Sequence, residues 1–320
     1  MEIGSFIELQ FSHGKELYRQ KDLIRLNTGR AAIWHAFRLT GAKTIWLPYY
    51  QCDTVSTFLR RKGERIRYYH IDKDFNPIDL YAEKEDAVLF VNYYGIMSRE
   101  RMRILSISYP RAIIDNCQAF YCEPLPNVMN VYSCRKFIGV PDGAYVIGKN
   151  ADKYIEEYSQ GFSSDTAAFL FKRIEYGCEG KGYEARSINE QRIDAEDIMK
   201  MSRLTHTILD GADYDFIKHK RRENFQIANE LLGDINLIDV TRFYDSDTVP
   251  MVYPLVVEED ELLLKLQRAK HFQGHWWSYI CEELPTNTFE YWMSRYMIPI
   301  TIDQRYGSEE LMYLANIIKK

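Results

Sequence analysis

Lys136 lies in a sequence context in which a lysine side chain could do covalent chemistry. The segment Tyr132–Gly143 follows a predicted strand and runs into a turn rich in glycine and proline. A lysine placed there lies at the end of a strand, where open α/β sheets bind ligands. Its amine can form a Schiff base with a carbonyl group. A lysine on a surface loop is the alternative, so other residues must decide between the two.

Asp115 is a second candidate because it ends the apolar run Ala112–Ile114. A buried strand would carry its carboxylate to the edge of the sheet. There it can keep a pyridine nitrogen protonated, which makes the ring an electron sink. A cap for a following helix is the alternative role.

Two further features could bind a phosphate. The residues at positions 27–30, Asn-Thr-Gly-Arg, precede the helical run Ala31–Phe37. Free amides and the positive end of a helix dipole can hold a phosphate at such a start, although helices that bind nothing also begin this way. The spacing of Ser133 and Lys136 lets a hydroxyl reach the phosphate while the lysine reaches the aldehyde of the same cofactor. The phosphate-binding segment at positions 27–30 (the phosphate cradle), then Asp115, then Lys136 follow the order that a pyridoxal phosphate (PLP) enzyme of fold type I needs.

The elements that must position these residues alternate in the first half of the chain. Short apolar runs alternate with helical patterns, which predicts an α/β fold with a mostly parallel central sheet. The predicted strands are Thr44–Leu47, Arg65–Ile71, Ala87–Asn92, Arg111–Asp115, Asn130–Ser133 and Ala144–Ile147, and the predicted helices are Arg30–Leu39, Asp53–Lys62 and Arg99–Ser106.

The second half predicts long helices and then a small α+β unit. Helices are expected from Ala151 to about Leu209, with Phe162–Asp165 as a helix start, and at Tyr214–Leu232. The unit that follows is predicted to contain strands near Met251–Val257, Trp276–Ile280 and Tyr296–Pro299 and helices at Glu259–His271 and Ser308–Ile318. We place the boundary near Gly211, which gives a large domain over residues 1–210 and a small C-terminal domain over residues 211–320.

Composition narrows the classes of function. The 320 residues are 46% hydrophobic and carry a net charge of −5, with both signs spread along the chain. Neither nucleic acid nor a membrane is an expected partner. No signal peptide is apparent, so we expect a cytoplasmic protein with reduced cysteines. The six cysteines form no CxxC pair, and we expect no metal site.

At these residues the chain resembles the DegT/DnrJ/EryC1/StrS family of PLP-dependent sugar aminotransferases. The likeness covers nearly the whole length and is most specific at two motifs. One is Asp115-Asn116-Cys117-Gln118, and the other is Lys136 followed by Asp142-Gly143. Further likenesses are Thr28-Gly29-Arg30-Ala31, Leu47-Pro48, Val91-Asn92-Tyr93-Tyr94-Gly95 and the C-terminal segment Ile298–Gly307.

The resemblance implies a role for each matching residue. Lys136 would form the Schiff base with PLP, Asp115 would pair with the pyridine nitrogen, and Gln118 would lie near the ring hydroxyl. Thr28, Gly29, Arg30 and Ser133 would hold the phosphate. Cys52 stands where many members have the aromatic residue that stacks on the ring, and Tyr50, Tyr93 and Tyr94 are candidates for substrate contact.

The chain also departs from the family pattern. The serine stands three residues before the lysine, as in other fold-type-I enzymes, and the Gly-x-Asn-x-Arg-Met segment that enters the neighbouring subunit's site is not found. Fold-type-I enzymes place each site at a two-fold interface, so the resemblance implies a homodimer. The segments Ala151–Leu209 and Tyr183–Arg192 are candidates to contribute to that interface.

The function that the resemblance implies is transfer of an amino group, with glutamate as the expected donor, to a nucleotide-linked keto sugar in polysaccharide biosynthesis. Other PLP chemistry on a sugar or an amino acid is an alternative. For dehydration of a sugar, Lys136 argues against it because the family's dehydratases usually have histidine there. A binding protein with the same fold is a third. Among other residues, His275-Trp276-Trp277 could line a pocket or the core, and Arg221-Arg222 are expected on a solvated helix face.

Overall fold

A computed structural model describes residues 3–320 and contains an eight-stranded sheet. Its strands are β1 (Leu23–Leu26), β2 (Thr44–Pro48), β3 (Arg65–Ile71), β4 (Pro77–Ile78), β5 (Ala87–Val91), β6 (Ala112–Asn116), β7 (Met129–Ser133) and β8 (Ala144–Ile147). Their order across the sheet is β1-β8-β7-β6-β5-β2-β3-β4. The strands from β7 to β3 run parallel, and β8 is antiparallel to both β7 and β1. The predicted α/β fold with a mostly parallel sheet is confirmed.

The sheet is buried on both faces. Along β5, Val88 and Phe90 belong to one hydrophobic cluster, whereas Ala87 and Leu89 belong to another. Because side chains alternate along a strand, the two clusters lie on opposite faces of the sheet. The second cluster includes residues of α1 (Gly29–Thr40) and α2 (Asp53–Arg61), and the first includes Met102 of α3 (Arg99–Ser106).

The six strands predicted in the first half are confirmed within one or two residues, but β1 and β4 were missed. β1 has only four residues, Leu23–Leu26, of which Arg25 is charged, so it is too short for an alternating pattern to mark it in the sequence. It forms because its residues pair with β8, more than a hundred residues away. β4 is shorter still and pairs only with β3.

The middle of the chain is less helical than predicted. The helices there are α4 (Ala168–Tyr176), α5 (Lys181–Ala195) and α6 (Arg203–Asp210). A helix start at Phe162–Asp165 is wrong, because α4 begins only at Ala168. None of the helices among residues 3–320 is both long enough and apolar enough to cross a membrane.

The C-terminal part contains a second, two-stranded sheet of β9 (Val252–Val256) and β10 (Met297–Thr301). Its helices are α7 (Tyr214–Leu232), α8 (Leu262–Arg268), α9 (Ile280–Glu283), α10 (Phe289–Tyr296) and α11 (Ser308–Ile318). The predicted strand at Trp276–Ile280 is wrong, since these residues form a turn that leads into α9. Trp277 packs there against Tyr50, with ring centroids 4.6 Å apart. The domain boundary near Gly211 falls between α6 and α7 and stays a prediction.

Candidate active site

The ends of β1, β6 and β7 meet at one edge of the large sheet. Leu26 of β1 and Ser133 of β7 both pair with Ala144 of β8, so β1 and β7 run in the same direction and end at the same level. On the other side of β7, Asp115 of β6 pairs with Val131. The residues after β1, the carboxylate of β6 and the turn after β7 therefore lie side by side.

Lys136 follows β7 as the last residue of a 3-10 turn, Cys134–Lys136. Its side chain is exposed, and no other side chain among residues 3–320 forms a hydrogen bond or ion pair with its amine. Burial raises the pKa of the Cys117 thiol, the charge of Asp115 raises it further, and the charge of Lys136 lowers it. The charges of Lys136 and Asp115 thus both act on the thiol of Cys117.

Asp115 is buried, and one of its oxygens accepts a hydrogen bond of 2.9 Å from the amide of Cys117. The residues that follow form a turn and no helix, so the alternative role as a helix cap is not realised. Its second oxygen, Oδ2, accepts no hydrogen bond from the residues that the structure describes. One carboxylate oxygen thus fixes the local turn and the other is available to a ligand.

The start of α1 provides unpaired donors beside these groups. The Thr28 hydroxyl accepts from the amide of Ala31 at 3.2 Å, whereas the amides of Gly29 and Arg30 have no acceptor within residues 3–320. A methyl group on Gly29 would lie 2.8 Å from the sulfur of Cys117 and 3.9 Å from Cβ of Ser133. Glycine is needed here because the helix start approaches the turn after β6 and the end of β7 so closely.

The side chain of Arg30 does not point to this cradle. Its guanidinium forms an ion pair of 2.9 Å with Asp194 and also donates to the carbonyl of Ile193, both near the end of α5. Only its amide is left at the start of α1 for a phosphate. The phosphate role that the resemblance implied for Arg30 is therefore confined to the backbone in this arrangement.

The remaining cofactor candidates lie around the same edge. Gln118 is buried, and its Oε1 accepts from the amide of Tyr94 at 2.8 Å. Cys52 immediately precedes α2, and its sulfur lies 3.0 Å from the hydroxyl of Thr54. Because β2 is parallel to β5, Cys52, four residues after the end of β2, lies at the same edge of the sheet as the residues that follow β5. Cys52 itself offers no aromatic ring, and nearby Tyr49 stacks on Tyr68, with ring centroids 4.9 Å apart.

The structure places the three tyrosines predicted to contact substrate in the core. The hydroxyls of Tyr50 and Tyr94 are 2.6 Å apart, and the hydroxyl of Tyr93 donates to the carbonyl of Tyr50 at 2.8 Å. All three are almost fully buried, and Trp276 and Trp277 pack against Tyr94 and Tyr50. They support the loops behind the site, and in this conformation none has a surface for substrate.

The sequence did not reveal the buried environment of two residues near Lys136. Arg221 was predicted on a solvated face, which is wrong, since it is only 2% exposed. It stands four residues from both Ile217 and Phe225, within the buried stripe of α7, and that helical spacing could have revealed it. Asp142 of the lysine motif is also buried, where it accepts from the amide and hydroxyl of Ser202 at 2.9 and 2.8 Å. It ties the loop after Lys136 to the start of α6.

The chemistry of these groups fits PLP. The cofactor needs an amine for its aldehyde, a carboxylate for its ring nitrogen and several donors for its phosphate. The amine of Lys136, Oδ2 of Asp115 and the amides of Gly29 and Arg30 all lack protein partners among residues 3–320. Cβ of Ser133 would lie 3.9 Å from a methyl carbon on Gly29, so the Ser133 hydroxyl is a candidate for a further donor near this helix start.

Comparisons with known proteins find similarity in structure. No protein-family model matches the chain, and no curated protein sequence matches it. The sugar aminotransferase CalS13 from Micromonospora echinospora superposes with a TM-score of 0.63 at 15% identity, over 93% of this chain and 87% of that chain. Spr1654 from Streptococcus pneumoniae, a putative sugar aminotransferase in its PMP form, gives a TM-score of 0.65 at 13% identity over 93% and 86%.

A sugar dehydratase with bound hydrated PLP, the GDP-4-keto-6-deoxy-D-mannose-3-dehydratase of E. coli, is also similar. Its TM-score is 0.60 at 13% identity, over 92% of this chain and 87% of that chain. At these identities the similarity establishes architecture. The chain therefore has the fold shared by DegT/DnrJ/EryC1/StrS-type sugar aminotransferases and dehydratases, the PLP-dependent transferase fold of type I.

Proposed function

We propose that this protein is a PLP-dependent aminotransferase that moves an amino group from glutamate to a nucleotide-linked keto sugar. The observation that carries the proposal is the unpaired amine of Lys136 at the same sheet edge as Asp115 and the free amides of α1. The sugar substrate is supported by the sugar enzymes that share the fold, among them one that acts on a GDP-linked keto sugar.

Each residue has a defined task in this function. When bound, PLP withdraws electrons from the α-carbon of an attached amino acid, which makes that C–H bond acidic. Asp115 would keep the ring nitrogen protonated through Oδ2 and so maintain this withdrawal. Lys136 would hold the cofactor by its aldehyde and then, once released, take the proton from the α-carbon with Nζ. The amides of Gly29 and Arg30, with the hydroxyls of Thr28 and Ser133, would anchor the phosphate.

The test is uptake of PLP and transfer from glutamate. Purified protein mixed with PLP should gain the visible absorbance of lysine-bound PLP, and borohydride reduction should fix the label on Lys136. Glutamate with a panel of nucleotide-linked keto sugars should then yield 2-oxoglutarate. Turnover of the sugar by loss of water, without 2-oxoglutarate, would instead indicate a dehydratase. A protein that takes up no PLP would contradict both and favour a binding protein.

Lys136→Ala should lose the visible band and all turnover while the fold stays intact, because only an amine forms the link to the aldehyde. Lys149→Ala is the matched control. Lys149 is also exposed, but it follows β8, which is antiparallel to β7, and so lies at the opposite edge of the sheet. An active Lys136→Ala variant would refute the assignment of this lysine.

A homodimer is part of the proposal, and the α4 and α5 hairpin supplies the surface. None of the residues of α4 is buried, and the hairpin region exposes large apolar side chains at Phe162, Phe171, Ile174, Tyr176, Tyr183 and Ile188. Several large apolar side chains exposed on one hairpin make it a candidate interaction site. The hairpin also lies beside the lysine loop, since Arg135 pairs with Glu190. A partner bound there would approach the exposed Lys136.

The segment Tyr183–Arg192 is only partly available to a partner. Asn189 is fully buried and donates to the carbonyl of Pro141 at 3.0 Å, so it serves its own subunit. Light scattering of the PLP-bound protein should give a dimer, and Ile174→Glu should shift it toward monomer. Ile104→Glu, at an exposed isoleucine of α3, is the control. A stable monomer that turns over substrate would show that one chain completes the site.

A further inference from the structure

The backbone around Lys136 is held from two sides. On one side the amides of Phe137 and Ile138 donate to the carbonyl of Cys134 at 3.0 and 2.9 Å, which closes the turn from within. On the other side the carbonyls of Lys136 and Phe137 accept only from side chains of the C-terminal part of the described chain. Because the Lys136 side chain itself has no partner among residues 3–320, these backbone contacts fix the position of the Cα atom from which its side chain extends.

Gln304, which follows β10, supplies the shorter of these contacts. Its Nε2 donates to the carbonyl of Phe137 at 2.9 Å. Its Oε1 is buried and has no hydrogen-bond partner among residues 3–320. An amide that leaves its acceptor atom unpaired is costly to bury. The hydrogen bond from Nε2 to the carbonyl of Phe137 is therefore the contact that favours glutamine at position 304.

Arg221 of α7 supplies the second contact. Its Nη2 lies 3.4 Å from the carbonyl of Lys136, its Nη1 donates to the carbonyl of Met251 at 2.8 Å, and its guanidinium lies 4.5 Å from the ring centroid of Phe137. No carboxylate of the described residues lies within ion-pair distance of it, although the charge of Asp303, which is itself paired with Arg305 at 2.7 Å, partly offsets its burial. Burial lowers the pKa of Arg221 to about 10.

Burial of a guanidinium without an ion pair is unfavourable, and an apolar side chain of similar length would fill the same space at lower cost. What such a side chain could not do is donate to two carbonyls that face it from different segments. The planar fork of arginine has this geometry. The stacking of the guanidinium on Phe137 adds a contact to the residue that follows the lysine.

We propose that Arg221 and Gln304 are positioning residues for Lys136, which hold the consecutive carbonyls of Lys136 and Phe137 so that the amine approaches its target from a fixed point. This inference rests on the proposed function. Both donors lie beyond Gly211, whereas the lysine belongs to the large sheet. The C-terminal part of the chain thereby acts on the reactive amine through the backbone of the lysine turn.

The test measures how fast the apo-protein captures PLP. In this reaction the amine of Lys136 adds to the aldehyde carbon and water leaves, which the visible band follows in time. Gln304→Met should slow capture about fivefold and Arg221→Met about tenfold or more, since a lost hydrogen bond from a neutral or a charged donor has effects of this size. In both variants the pH midpoint of the band should shift from that of the wild type.

Arg222→Met is the matched control. Arg222 adjoins Arg221 on α7 but has no hydrogen bond or ion pair with any residue that the structure describes. It should capture PLP at the wild-type rate. Because Arg221→Met also frees the carbonyl of Met251 and could fail to fold, Gln304→Met, which loses an unpaired acceptor as well as a donor, keeps the inference testable. Thermal unfolding is measured for each variant.

A purely structural role predicts a lower Tm with wild-type capture rate and pH midpoint, and this result in Gln304→Met would overturn the inference. Slower capture with a shifted pH midpoint and a nearly unchanged Tm would support it. The proposed function fails separately, because in that case the wild-type protein itself forms no adduct at Lys136.

Discussion

Gly29→Ala tests the packing that joins the phosphate cradle to the rest of the site. The added methyl carbon would lie 2.8 Å from the sulfur of Cys117, where ordinary contact begins at 3.4 Å. The Cys117 side chain, the start of α1 or the turn after β6 must give way by about 0.6 Å, and overpacking of this kind costs about 1 to 3 kcal/mol. The amides of Gly29 and Arg30 would shift with the helix start, and we expect the affinity for PLP to fall about tenfold.

A second substitution should relieve the clash. Cys117→Ala removes the sulfur, so Gly29→Ala should cost less in that background, with a favourable coupling of about 1 to 2 kcal/mol between the two sites. Gly139→Ala is the control. Its methyl carbon would lie 3.6 Å from Leu170, an ordinary contact, although Gly139 is also in the lysine loop.

The assays are urea unfolding and titration with PLP followed by visible absorbance. Additive effects of Gly29→Ala and Cys117→Ala would refute the reasoning, since they would show that the approach of Gly29 to Cys117 is not what requires glycine. Equal effects of Gly29→Ala and Gly139→Ala would lead to the same conclusion.

Two further predictions concern buried carboxylates. Asp115→Asn should retain some PLP but lose about 3 kcal/mol of transition-state stabilisation, seen as a decrease in kcat of about a hundredfold. Unchanged kinetics would limit the role of Asp115 to its hydrogen bond with the amide of Cys117. Burial alone would raise the pKa of Glu16, but hydrogen bonds with His206, Arg25 and Tyr145 lower it from 4.5 to about 2. Since the folded pKa is depressed, the stability from Glu16 is present above pH 4.5 and is lost as the pH falls toward 2. Glu16→Gln should therefore flatten the decline in unfolding free energy over that range, by about 3 kcal/mol, in urea titrations at several pH values.

Sequence patterns were sufficient for elements that local composition defines. The strand that carries Asp115 begins with the apolar run Ala112–Ile114, the strand that ends at Ser133 contains Val131 and Tyr132, which favour strands, and α1 begins at a threonine cap. Each of these signals acts within a few residues. Strand ends could therefore be located, and with them the residues that a parallel sheet brings to one edge.

Local signals were misleading where contacts between distant segments decide the outcome. The aromatic run Trp276–Ile280 has strand composition, but its tryptophan rings pack on Tyr50 and Tyr94, and within the described residues it pairs with no strand. Arg221 has the charge of a surface residue, and only its place on the buried stripe of α7 reveals its environment.

The sequence by itself determined which chemical groups this protein has and the order in which they follow strand ends. Tertiary structure alone decided how they are arranged. Pairing of both β1 and β7 with β8 places Thr28 beside Ser133, and the close approach of Gly29 to Cys117 fixes the start of α1. The physical reason is that contacts such as those of β1 with β8 and of Gly29 with Cys117 join segments that are far apart in the sequence, and they leave no periodic trace in either segment.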